Sequence, residues 1–273
     1  EFRALLQPAL ERGLRASAFG KQLTRAEIDV DELVASGRAL MEDAPRTGAE
    51  LASALGERFT ALDTLTIQYA LRIHLALVQV PPRGLWGRSG QPTLTTVETW
   101  LGAPLPKDAS IDRMVLRYLA AFGPATPADA QAWSGLTRLG EVFQRLKDRL
   151  TTFTGPTGAT LYDLPDAPRE DPDRPAPPRL LAEFDNLTLS YADRTRVLSE
   201  DDRRRAYTAN GIIPGMILVD GSVIGTWKLR KATLTLMPFR KIARKDRDAV
   251  LAEATDMIEF AAPGAAPEIT WAE

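Results

Sequence analysis

Residues 47–87 read TGAELASALGERFTALDTLTIQYALRIHLALVQVPPRGLWG, and the order of local signals in this stretch decides the fold. Thr47-Gly-Ala-Glu50 is a capping box, in which hydroxyl and carboxylate each satisfy an orphan backbone N–H, and it opens a short helix through Leu51 and Leu55. After Gly56 a second helix is expected from about Leu62 to His74, with Leu62, Leu65, Tyr69, Ile73 and Ala76 inward. Leu77-Val-Gln-Val80, Pro81-Pro-Arg-Gly84 and Leu85-Trp-Gly87 then read as strand, tight turn and returning strand. Upstream, Leu33, Val34, Gly37, Leu40 and Met41 form one apolar stripe between Asp31 and Asp43, and Pro45 stops that helix. The stretch therefore predicts three helices followed at once by a hairpin.

The order recurs. Ser110 can cap a helix with the stripe Ile111, Met114, Val115, Tyr118, Leu119 and Phe122, closed by Gly123-Pro124. Thr126-Pro-Ala-Asp129 starts the next helix, Gly135 breaks it, and Thr137 precedes a third with Leu139, Val142, Phe143 and Leu146 on one face. Thr151–Phe153, the turn Gly155-Pro-Thr-Gly158 and Thr160–Leu164 supply a second hairpin. Two such units in tandem give the helix-turn-helix-plus-wing order of winged-helix modules. Six prolines between Pro165 and Arg179 predict an extended linker. Beyond it, Leu180–Leu189 and Gly215–Met237 read as strands, with Asp220-Gly221 as a two-residue hairpin turn, before a helix of about Arg244–Ala261 and a short strand at Ile269–Trp271. The expected class is α+β: a first module with a preceding helix over 1–105, a second over 106–164, a linker over 165–179, and an α+β domain over 180–273 built on a small curled sheet or barrel.

With 273 residues the chain exceeds one comfortable core, and 44% hydrophobic with 26% charged residues is ordinary for globular proteins. No run approaches the ~20 apolar residues of a membrane helix. There is no cysteine, so thiolate metal sites and thiol nucleophiles are excluded, and with no leader of the secretory type the cytoplasm is the default compartment. Helical spacing at Phe2, Leu5, Leu6, Ala9 and Leu10 already runs from the first residue, Glu1, so the sequence reads as the remainder of a longer polypeptide. The net charge of −2 means that any surface gripping phosphates must be local. One segment qualifies: Lys228 to Arg247 holds eight Lys/Arg against the single acid Asp246.

In a winged helix the third helix can enter a groove. Thr64, Gln68 and Arg72, spaced by four, share the face opposite the expected apolar stripe and are suitable residue types for duplex DNA. The wing offers Arg83, Trp86 and Arg88, two cations about an aromatic, although a hairpin tryptophan more often packs on its own module. Arg138 and Arg145 take the corresponding surface of the second module beside Lys147, diluted by Glu141 and Asp148. Arg203 and Arg205 of the triple-arginine run, with Lys228 and Lys231, could add counterion-releasing contacts, while charge runs are more often solvated surface. The lone histidine, His74, has no cysteine or histidine partner for a metal and reads as a packing residue; Glu183 and Asp185 could share one strand face. No catalytic centre, metal site or cofactor site is expected within the chain, and a monomer is.

Several separated motifs then carry a resemblance: Gln79-Val-Pro-Pro-Arg-Gly-Leu-Trp-Gly87 with Ser89-Gly90, Glu183-Phe-Asp-Asn186, Ala192-Asp-Arg194, Asn210-Gly-Ile-Ile-Pro-Gly215, Val219-Asp-Gly221 and Gly225-Thr-Trp227. Nearly the whole chain resembles the bacterial winged-helix DNA-binding family that includes glycosylases unhooking DNA interstrand crosslinks. The resemblance implies a concave protein holding double-stranded DNA, with active members hydrolysing the N-glycosidic bond of alkylated purines through a Gln-x-Gln or Gln-x-Asp motif in an N-terminal module. No such motif occurs here, and that module would precede Glu1. Tyr191 also stands where relatives often carry histidine before Ala-Asp-Arg. Three readings remain open to the residues: the gripping part of a DNA-repair glycosylase, a non-enzymatic DNA-binding regulator, or a protein-interaction module.

Overall fold

Side-chain caps set where the helices after the first begin in the N-terminal part of the chain. In the computed structural model, which describes residues 2–106, 109–171, 173–208 and 211–272, α1 (Arg3–Ala16) ends where Ser17 turns extended, and the Ser17 hydroxyl accepts from Gly20 N–H to start α2 (Ala18–Arg25). Glu1, Pro172 of the proline-rich stretch, Asn210 of the Asn210–Gly215 motif and Glu273 lie outside the described residues. Asp29 caps α3 (Val30–Asp43), which buries Leu33, Gly37 and Met41, the stripe its spacing predicts. Behind Pro45, β1 (Arg46–Thr47) leads into α4 (Gly48–Gly56) through the capping box: Thr47 N–H donates to Glu50 Oε2 at 2.7 Å and Glu50 N–H to Thr47 Oγ1 at 3.2 Å. Asp63 caps α5 (Thr64–His74). β2 (Leu77–Val80) and β3 (Thr93–Thr96) complete an antiparallel sheet in the order β1-β3-β2, and α6 (Val97–Leu101) follows.

Leu33, Met41, Leu51, Leu55, Ile67, Leu71 and Leu75 form the core of this part. Gly37 lets α3 and α5 approach, because a Cβ there would overlap the Leu71 side chain. Two expectations need correction. The strand returning to β2 is Thr93–Thr96, with Leu77 opposite Thr96 and Val80 opposite Thr93, and Leu85–Gly87 belongs to a long exposed loop. Pro81 and Pro82 have no N–H to donate to a ladder, so pairing cannot resume directly after the turn. On α5, Leu62 just ahead of it is buried and Ile73 and Ala76 are half-buried, but Leu65 and Tyr69 are exposed; Thr66, Ile67, Ala70 and Leu71 face the core.

The chain divides into two compact units, residues 1–114 and 115–273. α7 (Ile111–Phe122), capped by Ser110, spans the division. α8 (Pro127–Ser134) opens with a second capping box, Thr126 with Asp129, and closes at Gly135 in the left-handed region. α9 (Leu139–Arg145) buries Leu139, Val142 and Phe143 as its stripe predicts. Thr137 precedes it as expected, its N-cap is Arg138 at φ 62°, and the Leu139 N–H donates to Gln131 Oε1 at 2.9 Å. β4 (Thr151–Thr154) and β5 (Thr160–Asp163) form the expected hairpin, to which Ala125 adds a bridge at Tyr162.

No regular element occupies the described residues between 165 and 178. After β6 (Arg179–Leu181) the chain turns, with Phe184 at φ 57° and Asp185 capping a 3-10 turn at Asn186–Thr188. The strand expected over Leu180–Leu189 is therefore cut to three residues, and Glu183 and Asp185 do not share a strand face. α10 (Glu200–Ala206), β7 (Gly215–Val219), β8 (Ser222–Arg230), β9 (Thr233–Pro238), α11 (Arg244–Ala261) and β10 (Glu268–Trp271) complete the fold. Asp220 at φ 47° and Gly221 at φ 70° make the β7–β8 turn. The sheet runs β10-β9-β8-β7-β6, with β10 parallel to β9 and the other pairs antiparallel. It is open, with β10 and β6 as edges, and not a barrel. α11 covers one face through Val250, Ala254 and Ile258 against Ile217, Leu234 and Leu236. The architecture is α+β.

Three hydrogen bonds tie the α7–α9 triplet to the segment behind the linker. Tyr118 Oη donates to Ser190 O at 2.7 Å, Tyr191 Oη to Phe122 O at 3.0 Å, and Ala192 N–H to Asp129 Oδ1 at 2.8 Å. Asp129 is 4% exposed, so its carboxylate serves both as helix cap and as anchor of the Ala192-Asp193 loop.

Candidate nucleic-acid interface

Asp63 decides how α5 presents its outer side. Its carboxylate accepts from Thr66 N–H at 2.7 Å, fixing the first turn, and that bond holds the carboxyl below the usual carboxylate range despite some burial. From there Thr64 and Arg72 are exposed and Gln68 is half-buried. Gln68 lies over Gly48 at the start of α4. Leu65 and Tyr69 are exposed as well, and the Tyr69 ring packs 4.6 Å from that of Phe19. Arg72 has no ion-pair partner among the described residues.

The loop between β2 and β3 carries Arg83, Trp86 and Arg88, all exposed. Arg83 Nη1 donates to Gln79 Oε1 at 3.1 Å, and Arg88 has no ion-pair partner among the described residues. Trp86 is 70% exposed and so is not buried on its own unit. These six side chains lie on α5 and on the loop after β2, both within the first unit.

Within the second unit the remaining candidates scatter. Arg138 and Arg145 stand at the two ends of α9, both exposed, with Glu141 and Asp148 exposed between and beyond them. The arginine run on α10 is matched by the acids one turn earlier: Arg203 Nη2 lies 2.9 Å from Glu200 Oε2, Arg204 pairs with Asp201, and Arg205 Nη1 lies 3.8 Å from Asp202 Oδ1. Arg240, from the basic Lys228–Arg247 segment, also turns to Asp202, at 2.8 Å. Burial raises the Asp202 carboxyl, but the bonds from Arg240 and Ser199 outweigh it and hold it lower than usual. Lys228 and Arg230 stand opposite Thr235 and Thr233 across β8–β9 and line a shallow groove of about 430 Å³, while Lys231 follows at φ 55°. None of these three cations has an ion-pair partner among the described residues.

His74 is half-buried, its Nδ1 4.0 Å from Glu11 Oε1. Among the described residues no group of three or more His, Asp or Glu side chains is placed to hold a metal. Nor, among the described residues, is any helix long and apolar enough to cross a membrane. Several motif residues have packing reasons. A Cβ at Gly215 would stand 2.6 Å from the Trp227 ring, whose Nε1 donates to Leu181 O at 2.8 Å, and one at Gly225 would stand 2.6 Å from Met237 O. Tyr191 is buried, with the Arg196 guanidinium 4.1 Å over its ring. Sequence reasoning overlooked Leu65 and Leu85 as surface residues; each lies in an apolar pattern that reads inward.

Comparison with known proteins places this geometry. The fold is similar to that of the solved DNA glycosylase AlkZ of Streptomyces sahachiroi, with a TM-score of 0.74 and 21% identity over 99% of this chain and 77% of that one. The curated interstrand DNA cross-link repair glycosylase of the same organism is 29% identical over 164 residues, which is 57% of this chain and 43% of that protein. The chain thus aligns with less than half the length of that relative. The model of the family described as DNA glycosylase AlkZ-like matches residues 1–260. A match over so much of the chain shows its family: this protein belongs to the AlkZ-like DNA glycosylases.

Proposed function

We propose that this chain is the part of an AlkZ-like glycosylase that grips duplex DNA, in a protein acting on alkylated or crosslinked DNA, and that it does so through winged-helix modules. The element order supports the modules. In the first unit α3, β1, α4, α5, β2 and β3 follow one another, and α7, the Ala125 bridge, α8, α9, β4 and β5 repeat the order. In such modules the third helix enters a groove and the hairpin lies on the backbone. The observation that carries the reading is that Thr64 and Arg72 are exposed on α5 with Gln68 half-buried between them, and Arg83 and Arg88 are exposed in the following loop of the same unit.

The side chains suit the task. A Gln carboxamide matches the adenine edge, and Arg matches guanine or phosphate. Arg138 and Arg145 are secondary contacts. Arg203 and Arg205, matched by their own helix's acids, displace few counterions, whereas Lys228 and Lys231 remain available to phosphates. We assign grip and orientation to this chain, acting as a monomer in the cytoplasm, and base release to groups other than these, since no glutamine here begins a Gln-x-Gln or Gln-x-Asp sequence.

Fluorescence anisotropy with a labelled duplex tests the reading. If about five cations meet phosphates, affinity falls roughly 500-fold between about 50 and about 200 mM salt. An affinity unchanged across that range, or no binding, rules it out and favours a protein partner instead.

A further inference from the structure

We infer that Leu85 and Trp86 form an apolar wedge that enters the base stack of the bound duplex; this rests on the duplex-binding reading above. The loop leaves β2 after Val80 and rejoins the sheet at Thr93, and every residue from Pro81 to Gln91 is exposed. At its tip Leu85 is 53% and Trp86 70% exposed. Two adjacent large apolar side chains at this exposure forgo much of the burial that normally rewards such residues.

The tip is also organised. Leu85 N–H donates to Pro82 O at 3.2 Å and Arg88 N–H to Leu85 O at 3.0 Å, while Arg83 is held against Gln79. Pro81 and Pro82 restrict the approach, and Gly84 at φ 94° and Gly87 at φ 69° turn the backbone on either side of the pair. The outcome is an apolar knuckle with one arginine before it and one after it. That is the chemistry of a side chain that parts a base step while cations on both sides hold the flanking phosphates. An indole also offers a full ring on which an unstacked base can lie. Chemistry on a base requires that base outside the stack, and a wedge lowers the cost of taking it there. The flanking arginines would equally meet anionic lipid headgroups or an acidic protein face, and it is membership of a DNA glycosylase family that favours the duplex.

The test uses the 273-residue chain and a duplex carrying 2-aminopurine at a central step, whose fluorescence rises when it loses its stacking neighbour. Binding is followed in parallel by anisotropy. The wild-type chain is expected to bind and to raise the emission several-fold. Leu85→Ala with Trp86→Ala is expected to bind within about ten-fold of wild type and to abolish the rise, since base stacking but not phosphate contact is lost. Arg83→Ala with Arg88→Ala is expected to weaken binding itself. Unchanged melting temperatures, expected for an exposed loop, show that the variants fold. Wild-type binding without a rise, or a rise that persists in the Leu85/Trp86 double variant, overturns the wedge and leaves duplex binding intact. Failure of the wild-type chain to bind overturns both.

Discussion

Gln68 reaches from α5 to the first residue of α4, where a methyl group added at Gly48 would stand 2.6 Å from Oε1 and 2.7 Å from Cδ. Gly48 has no positive φ, so its role is to leave room for that amide. Gly48→Ala is therefore expected to displace Gln68 and to weaken duplex binding about as much as Gln68→Ala does, roughly five-fold or more if one base contact is lost. Combining the two should add little, because both remove the same contact. Anisotropy titrations of the three variants check this; additive losses would mean that Gly48 acts by another route. The same helix shows the limit of reading residues singly. Thr64 and Arg72 are exposed, but the stripe expected opposite them is not buried throughout, and Gln68 is half-buried. Leu65 and Tyr69 could not be assigned outward from their spacing, because an apolar residue on a helix reads as core unless the packing partners are known, and here Thr66 and Ala70 take the buried positions. Trp86 was ambiguous for the same reason: its 70% exposure depends on where the chain returns to the sheet.

Elements whose signals are local were legible. The Thr47–Glu50 capping box, the helix start at Thr126, the Asp220-Gly221 turn and α11 follow from a few neighbouring residues. β3 was not, because its partner in β2 lies beyond a loop that two prolines keep out of any ladder. Nor was the open sheet, since β10 pairs in parallel with β9 only after the crossover through α11. The Asp63 cap that aims α5 supports a prediction at this scale. Because the Thr66 N–H bond lowers the folded carboxyl, the cap's contribution is complete above the unfolded value near pH 4 and is lost as acid protonates the folded state. Asp63→Ala is expected to cost about 1 kcal/mol at neutral pH, and Asp63→Ser to restore most of it. Denaturant melts across pH should show the wild-type advantage over Asp63→Ala shrinking below about pH 4. An advantage that persists in acid would contradict an ionised cap.

For the molecule as a whole, a net charge of −2 and a DNA-binding family are compatible only if cations are segregated. The described ion pairs do this: on α10 each arginine meets an acid one turn earlier, whereas Arg72 and Arg88 have no ion pair among the described residues. Composition showed the shortage of positive charge but not its distribution, because pairing between Arg240 and Asp202 spans 38 residues. The central claim is that duplex DNA lies against α5 and the loop that follows β2. Titrating an unlabelled duplex into the isotope-labelled chain and following backbone amide and arginine side-chain resonances tests it most directly. The account predicts the largest shifts at Thr64, Gln68, Arg72, Arg83 and Arg88; a duplex that binds while leaving these unmoved and perturbs α10 or α11 instead would contradict it.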